Sequence, residues 1–236
     1  MTKRLIICIT AVILALTQLP CMGQRKQVYT RKMRIEDFPA RTTKVVVSGE
    51  SLPDLAFREE VASRWNISAY EFCNLAEYEK IKENNKFYFL RLVQDSEVLY
   101  IELSKGGKEK DDNALNRALD IVRVPVSRVD TSDGRMFIYL AAFIDIIQDY
   151  MDKALVTGMA SYTGLQTFNT HIPKDATVIV DEAEADKAFA AGEPGTLVGL
   201  SIGKYSMIID AGTHKLLQYS ASGKDLKKRY GQQSAQ

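Results

Sequence analysis

The amino-acid sequence predicts an α/β or α+β fold in which mixed sheets with antiparallel hairpins pack on a long central helix. Short β-branched and aromatic runs, such as 44–48 and 87–93, have the character of strands. An apolar period of three to four residues continues over 135–154 and indicates a long helix. The order strand, helix, strand, short helix, strand, strand occurs over 44–104 and again over 121–210. Two explanations of this order remain open: a duplication of β-α-β-α-β-β halves, or chance similarity of ordinary α/β segments.

In the first half, Ser51 and Pro53 form a helix-start signal, and Trp65 is placed to anchor the helix on the core. An alternating strand at 70–74 precedes a helical segment at 76–84. The strands at 87–93 and 98–103 are separated by a short polar turn, which predicts an antiparallel hairpin.

In the second half, the strand at 121–126 contains Pro125, and a proline favours the edge of a sheet. Several residues of 130–134 are suitable N-caps for the long helix that follows. The remaining predicted elements are a strand at 176–180, a helix at 181–191 closed by Gly192, and strands at 196–202, 205–209 and 215–219.

The predicted organisation divides the chain into consecutive segments that differ in composition. These are a signal peptide (1–23), an extended polar arm (24–42), a first α/β half (43–105), a charged glycine-rich connection (106–118), a second α/β half (119–222) and a basic, polar tail (223–236).

The N-terminus has the parts of a secretory signal peptide. Lys3 and Arg4 precede twelve mostly apolar residues at 5–16, too few for a membrane-spanning helix, which needs about 20. Cys21 and Gly23 are suitable residues before a cut that leaves Gln24 at the new N-terminus. We therefore expect an exported chain that is periplasmic or secreted.

Two alternatives keep the chain at a membrane. Lipoprotein processing would make Cys21 the first residue and attach a lipid there. The preceding residues Gln18, Leu19 and Pro20 depart from the usual leucine, small residue, then glycine or alanine, and this disfavours that route. The other alternative is an N-terminal segment that stays uncleaved.

Composition excludes several classes of protein. The leader contains two of the 31 basic residues and no acid, so the mature chain has 29 basic residues against 30 acidic ones. A neutral balance provides no general attraction to nucleic acid or to anionic membranes. Only Cys73 of the three cysteines lies beyond the leader, so the mature chain cannot form an internal disulfide.

The pattern of residues 135–154 predicts a long core helix that lies under both halves. Phe137, Leu140 and Ile144 begin an apolar stripe at spacings of three and four residues. The uninterrupted apolar run ends at Asp145 and is too short for a membrane span. Asp145, Asp149 and Asp152 share the opposite face. We interpret them as a solvated face, with oxygen ligands for a hard cation as the alternative.

No recognisable catalytic, metal or cofactor motif is present. His171, His214 and Cys73 are far apart in the chain and lack the spacing of a zinc site. Cys73 lies in a predicted strand, where a small buried thiol is the usual interpretation. Ser201, between Gly199 and Gly203, lacks the pattern of a nucleophile elbow, and we expect these glycines to let the strand bend or bulge. The nucleotide-binding glycine loops are also absent.

These observations favour a non-enzymatic binding or structural module of the envelope, with a partner protein or peptide held at an exposed strand edge. The leader ending in CMGQ and the closing hairpin YSMIIDAGTHKLLQYS are similar to those of exported α/β proteins of Gram-negative envelopes. One alternative is a periplasmic hydrolase whose carboxylate or Ser/His site is assembled by the fold. Another is a lipid-anchored assembly factor. We expect no cofactor, no metal and no nucleic acid.

Overall fold

A computed structural model of the chain describes residues 30–49, 51–131, 134–173, 175–222 and 226–230. The predicted signal peptide, the cleavage site and Cys21 lie outside the described residues. The described residues form a mixed α/β fold with seven α-helices and nine strands. The helices are α1 (Arg31–Ile35), α2 (Leu52–Arg64), α3 (Leu75–Ile81), α4 (Arg135–Val156), α5 (Ala160–Thr163), α6 (Glu182–Ala191) and α7 (Leu226–Tyr230).

The strands build two mixed sheets, as the fold class predicts. They are β1 (Thr42–Val46), β2 (Tyr70–Cys73), β3 (Phe87–Gln94), β4 (Val98–Lys105), β5 (Leu119–Arg128), β6 (Val178–Ile179), β7 (Leu197–Ile202), β8 (Tyr205–Asp210) and β9 (Leu216–Ser220). Sheet I has the order β2-β1-β3-β4-β5, and sheet II has the order β6-β7-β8-β9.

Each sheet combines a parallel part with an antiparallel meander. In sheet I, β1 pairs in parallel with both β2 and β3, and the antiparallel strands β4 and β5 follow. In sheet II, β6 and β7 are parallel, and β8 and β9 continue antiparallel. The predicted hairpins β3–β4 and β8–β9 are therefore present.

The strand predicted to open the second half belongs to sheet I instead. β5 pairs along its length with β4, so the connection at 106–118 joins two strands of one sheet. The ranges 44–104 and 121–210 consequently do not share one strand order. What the two sheets share is a strand, a helix and a three-stranded meander, with β1 inserted into sheet I only. Pro125 does lie in an edge strand, as expected.

Local capping signals explain where several helices begin and end. The Ser51 side chain accepts a hydrogen bond from the backbone of Asp54 at the start of α2, and Asp181 caps α6 in the same way. Gly192 ends α6 in the left-handed conformation that favours glycine. Helix α4 differs from the expectation, because its N-cap is Gly134, with φ 71°, and lacks a side-chain cap.

Helix α4 lies at the centre of the molecule, and both of its sides are buried. Its apolar residues join one core cluster with strands of both sheets. Phe137 is a correction to the predicted stripe: it is exposed, because the first turn of the helix directs Met136 and not Phe137 into the core. No described helix reaches the length and hydropathy of a membrane-spanning segment.

Two polar end segments are more structured than the sequence suggests. Part of the predicted extended arm folds into α1 and a short 3₁₀ helix (Phe38–Ala40), because Ile35 and Phe38 are fully buried in the core. Phe38 packs edge-on against Tyr88 at 4.8 Å between ring centroids. In the tail, Leu226 of α7 is buried against sheet II near Gly199.

Candidate functional site

The outer edge of β2 is the strand edge best placed to bind a partner. The backbone carbonyls of Ala69 and Cys73 accept hydrogen bonds from Thr43 (2.8 Å) and Val47 (3.0 Å) on the β1 side. Because successive residues of a strand direct their backbone groups to opposite sides, the N–H and C=O groups of Tyr70 and Phe72 face away from β1. No hydrogen bond from another described residue occupies these groups.

The side chains along this edge present an aromatic face and a charged face. Tyr70 and Phe72 lie on the same face, with their rings edge-on and 5.6 Å apart, and the Arg58 guanidinium lies 4.8 Å from the Phe72 ring centroid. On the other face, the largely exposed Glu71 forms an ion pair with Lys44. A strand added to this edge would therefore meet aromatic surface on one side and a carboxylate on the other.

The edge of β9, at the far end of sheet II, is covered. The Asn169 side chain accepts a hydrogen bond from the backbone N–H of Tyr219 (2.6 Å) and donates to its carbonyl (3.1 Å). The Thr170 N–H donates to the carbonyl of Leu217 (2.9 Å). The segment 169–170 thereby occupies the backbone groups that an added strand would need.

The beginning of β5, at the other edge of sheet I, is also covered. Arg31 donates to the carbonyl of Asp120 (2.5 Å), and Arg34 donates to those of Arg117 (2.7 Å) and Ala118 (3.0 Å). At the edge of sheet II, β6 has only two residues. The four-residue strand β2 is thus an open edge, whereas β9 and the beginning of β5 are covered and β6 is short.

A groove between the two sheets is a second candidate binding site. Two adjoining cavities of about 350 and 470 Å³ share Arg128 and Gly203, and the smaller one is lined by both polar and apolar groups of the two sheets and α4. The charged groups of the smaller cavity are paired within the protein, Arg128 with Asp130 and Arg135 with both Glu182 and Asp186. The groove is thus preformed and nearly neutral in charge.

The Arg135–Asp186 pair lies beside this groove. Arg135 donates two bonds to Asp186, from Nε (3.0 Å) and Nη2 (2.9 Å), and the Tyr139 hydroxyl donates a third (2.7 Å). Burial alone would raise the pKa of Asp186, but these donors outweigh it and hold the pKa below its usual value. The carboxylate stays ionised as the partner of Arg135 and is unsuited to act as a proton donor.

His214 is the one predicted candidate that the fold brings beside a carboxylate. Its Nδ1 lies 2.7 Å from Oδ2 of Asp145, and Arg64 donates to the same oxygen at 3.0 Å. The imidazole also stacks on the Phe189 ring, with centroids 5.3 Å apart. Among the described non-glycine residues, His214 alone has a positive φ, 57°. A carboxylate that orients an imidazole is a known element of general-base sites.

The other predicted candidates lie apart from His214. Cys73 is buried with Val46, Tyr78 and Phe89, and burial raises the pKa of its thiol, so it has the character of a core cysteine. His171 is exposed in the segment between α5 and β6.

The Gly-Leu-Ser-Ile-Gly segment is explained by packing. Gly199 is tightly packed, because a Cβ would lie 3.0 Å from the side chain of Val180 and 3.1 Å from that of Leu226, and Gly203 makes the β7–β8 turn at φ 56°. The expected bend or bulge is therefore replaced by close helix packing and a turn. Ser201 is exposed and lies opposite Ser206 within the β7–β8 pair. This position inside a strand is not that of a nucleophile elbow, which is a sharp turn between a strand and a helix.

The three aspartates of α4 occupy the helix's one incompletely buried stripe. Asp145 is paired as described, Asp149 is half-buried and Asp152 is exposed. Within the part of the chain that the structure describes, no group of three or more acidic, histidine or cysteine side chains is arranged to hold a metal ion.

Comparison with known proteins does not assign a family. No protein-family model, no curated protein and no solved structure matches this chain. Any function must therefore be argued from the geometry itself.

Proposed function

We propose that the protein is a non-enzymatic binding module that holds an extended segment of a partner protein at the outer edge of β2. The single observation that carries this proposal is the contrast between the edges. Asn169 and Thr170 cover β9, Arg31 and Arg34 cover the start of β5, and β6 is two residues long, whereas β2 leaves the backbone of Tyr70 and Phe72 open.

Strand addition suits the chemistry of this edge. Main-chain hydrogen bonds supply affinity for any extended segment, and side chains at alternate positions supply selectivity. Tyr70 and Phe72 favour an aromatic or β-branched residue on the partner strand, and Glu71 favours a basic one. The exposed carboxylate of Glu71 also discourages pairing of two copies through this edge.

The partner is expected in the cell envelope, because the chain is proposed to be exported. The basic start, the short apolar run and the residues before Gln24 support cleavage to a periplasmic or secreted protein. A lipid at Cys21 is the alternative. Intact-mass measurement distinguishes the two, since a chain that starts at Gln24 supports the free form and an acylated chain that starts at Cys21 contradicts it.

Strand addition is tested with a photo-crosslinking amino acid at position 71, introduced in the native cells. A discrete adduct with one envelope protein is expected, and the same probe at the exposed position of Lys80 on α3 is the control for random contact. Tyr70→Pro removes the outward N–H at the first residue of the strand, where proline is tolerated. Tyr70→Ala keeps that N–H and is the matched control.

The expected result is an adduct that Tyr70→Pro abolishes and Tyr70→Ala retains. An adduct that survives Tyr70→Pro, or that also forms from position 80, contradicts strand addition. Amide hydrogen exchange gives a second readout, because the exchange of Tyr70 and Phe72 should slow once the cross-linked partner is purified and added. Unchanged exchange of these two amides would equally overturn the proposal.

A hydrolase that uses His214 as a general base is the second candidate function. It is favoured by the Asp145–His214 hydrogen bond, which fixes the ring in one orientation. The purified mature protein would be assayed against ester, glycoside and peptide substrates. Turnover that is lost in His214→Gln, with the fold retained, would establish this function, and the absence of turnover would leave the binding module as the function.

A further inference from the structure

An apolar cluster projects from the end of the molecule where α4 stops. Val156 is 75% exposed, Met159 is 73% exposed and Tyr162 is 57% exposed, all within seven residues at the end of α4 and in α5. Single exposed apolar side chains are ordinary on protein surfaces. Here, three of the most exposed apolar side chains lie together at one corner of the molecule and form a local apolar surface.

Basic side chains border this apolar cluster. Lys32 Nζ donates to the carbonyl of Val156 (3.2 Å), and the backbone N–H of Arg31 donates to the Tyr162 hydroxyl (3.2 Å), so α1 lies directly beside the cluster. Lys153 is one turn before Val156, and its Nζ lies 4.0 Å from the centroid of the Phe168 ring. Asp152 is the acidic residue of the same turn, and Glu36 follows α1 as its C-cap.

The chain approaches this corner from its N-terminal side. Residues 25 and 26, arginine and lysine, precede α1 in the sequence, and the predicted leader ends at Gly23. An extended chain from Cys21 to Thr30 spans at most about 30 Å. In the lipid-anchored alternative, this short segment would tether the corner to the bilayer.

We propose that this corner docks on the surface of a lipid bilayer that contains anionic headgroups. Val156, Met159 and Tyr162 enter the boundary between the headgroups and the acyl chains, while the charged ends of Lys32 and Lys153 stay among the phosphates. The contact orients the protein on the membrane and does not depend on the strand-addition function. Its failure and that of the proposed function are therefore separate outcomes.

Vesicle flotation of the mature chain, residues 24–236, tests the proposal. The vesicles contain about three parts phosphatidylethanolamine to one part phosphatidylglycerol, and neutral phosphatidylcholine vesicles are compared with them. Binding to the anionic vesicles is expected, weakened on neutral vesicles and by about 0.5 M salt. The double variant Val156→Ser/Met159→Ser should bind about tenfold more weakly.

The matched control is Leu52→Ser/Leu55→Ser, which removes two exposed leucines (73% and 49%) at the start of α2. This site lies at the opposite end, because α2 begins after the carboxyl end of β1, whereas α1 covers the start of β5. The control should bind like the wild type. Absent binding, equal loss in both variants, or light scattering that shows the corner joining two copies of the chain would each overturn the proposal.

Discussion

Nδ1 of His214 lies 2.7 Å from Oδ2 of Asp145, although 69 positions separate the two residues in the chain. Asp145 belongs to the central helix and His214 to the turn between β8 and β9, so this bond ties sheet II to α4. Arg64 adds α2 to the same carboxylate, and Phe189 of α6 supports the ring. One half-buried polar cluster thus joins four elements that contribute to the core.

Two replacements of His214 separate the contribution of its side chain to the free energy of unfolding from the cost of its backbone conformation. His214→Ala loses the bond to Asp145 and must hold a left-handed φ that alanine disfavours, so we expect a loss of about 2–3 kcal/mol in the free energy of unfolding. His214→Gly loses the same side chain but adopts this φ freely, and it should be about 1 kcal/mol more stable than His214→Ala. Urea unfolding measures both, and equal stabilities would show that φ carries no strain.

Asp37 should contribute stability that disappears in acid. Its carboxylate accepts hydrogen bonds from the Tyr88 hydroxyl (2.6 Å) and from the buried Lys105 (2.7 Å). Burial alone would raise the pKa of Asp37, but these donors outweigh it and lower the pKa. The stabilisation is therefore complete above the unfolded pKa of about 3.9 and is lost as the pH falls through the lower folded pKa.

The test of Asp37 is the variant Asp37→Asn, unfolded by urea at several pH values. A loss of about 2 kcal/mol is expected at neutral pH, because Lys105 stays buried without its counter-charge. The difference from the wild type should shrink below about pH 3. Asp130→Asn, which breaks the exposed ion pair with Arg128, is the control and should change little. A difference that is constant with pH would contradict the assignment.

Much of the fold could be predicted from the sequence because its signals are local. The helix start at Ser51, the closing Gly192 and the β3–β4 hairpin depend on neighbouring residues, and the structure contains them. Membership of β5 in sheet I could not be predicted in this way. A strand's period shows which side chains are buried, but the choice of neighbouring strand depends on contacts that are distant in sequence.

The candidate sites were harder to predict, for the same reason. Asn169 is an ordinary loop residue in the sequence, and its cover of β9 exists only because the fold places it beside Tyr219. Arg31 and Lys32 suggest a solvated basic arm, yet they contact the start of β5 and the end of α4. The buried, apolar residues Ile35 and Phe38 were the available signal that this arm is folded.

Asp149 should cost stability at neutral pH. Burial raises the pKa of this carboxyl, the nearby Asp145 and Asp152 raise it further, and Lys215 and Lys153 offset only part of the rise. Since the folded pKa is raised, the cost is absent below the unfolded pKa of about 3.9 and grows as the pH rises through the folded one. Asp149→Asn should therefore stabilise the protein at pH 7 by about 0.5 kcal/mol, or about 1–2 °C in Tm, after allowance for its partial exposure.

Thermal unfolding at about pH 7 and pH 3 checks the prediction for Asp149. The gain should be present at the higher pH and absent at the lower one, whereas Asp152→Asn, at an exposed position of the same stripe, should change less. Destabilisation by Asp149→Asn at neutral pH would mean that the carboxylate makes a favourable interaction that its surroundings do not indicate.

Removing the cover of β9 should create a second open edge. Asn169→Ala loses both hydrogen bonds to the backbone of Tyr219, and we expect about 1–2 kcal/mol less stability because an exposed N–H and C=O regain only water. The uncovered strand should also promote association between copies, since β9 lacks an acidic residue like Glu71. Asn169→Asp keeps the acceptor for the Tyr219 N–H, so its stability should lie between that of Asn169→Ala and that of the wild type. Urea unfolding and concentration-dependent light scattering measure the two effects, and a monomeric Asn169→Ala of unchanged stability would show that β9 does not depend on this cover.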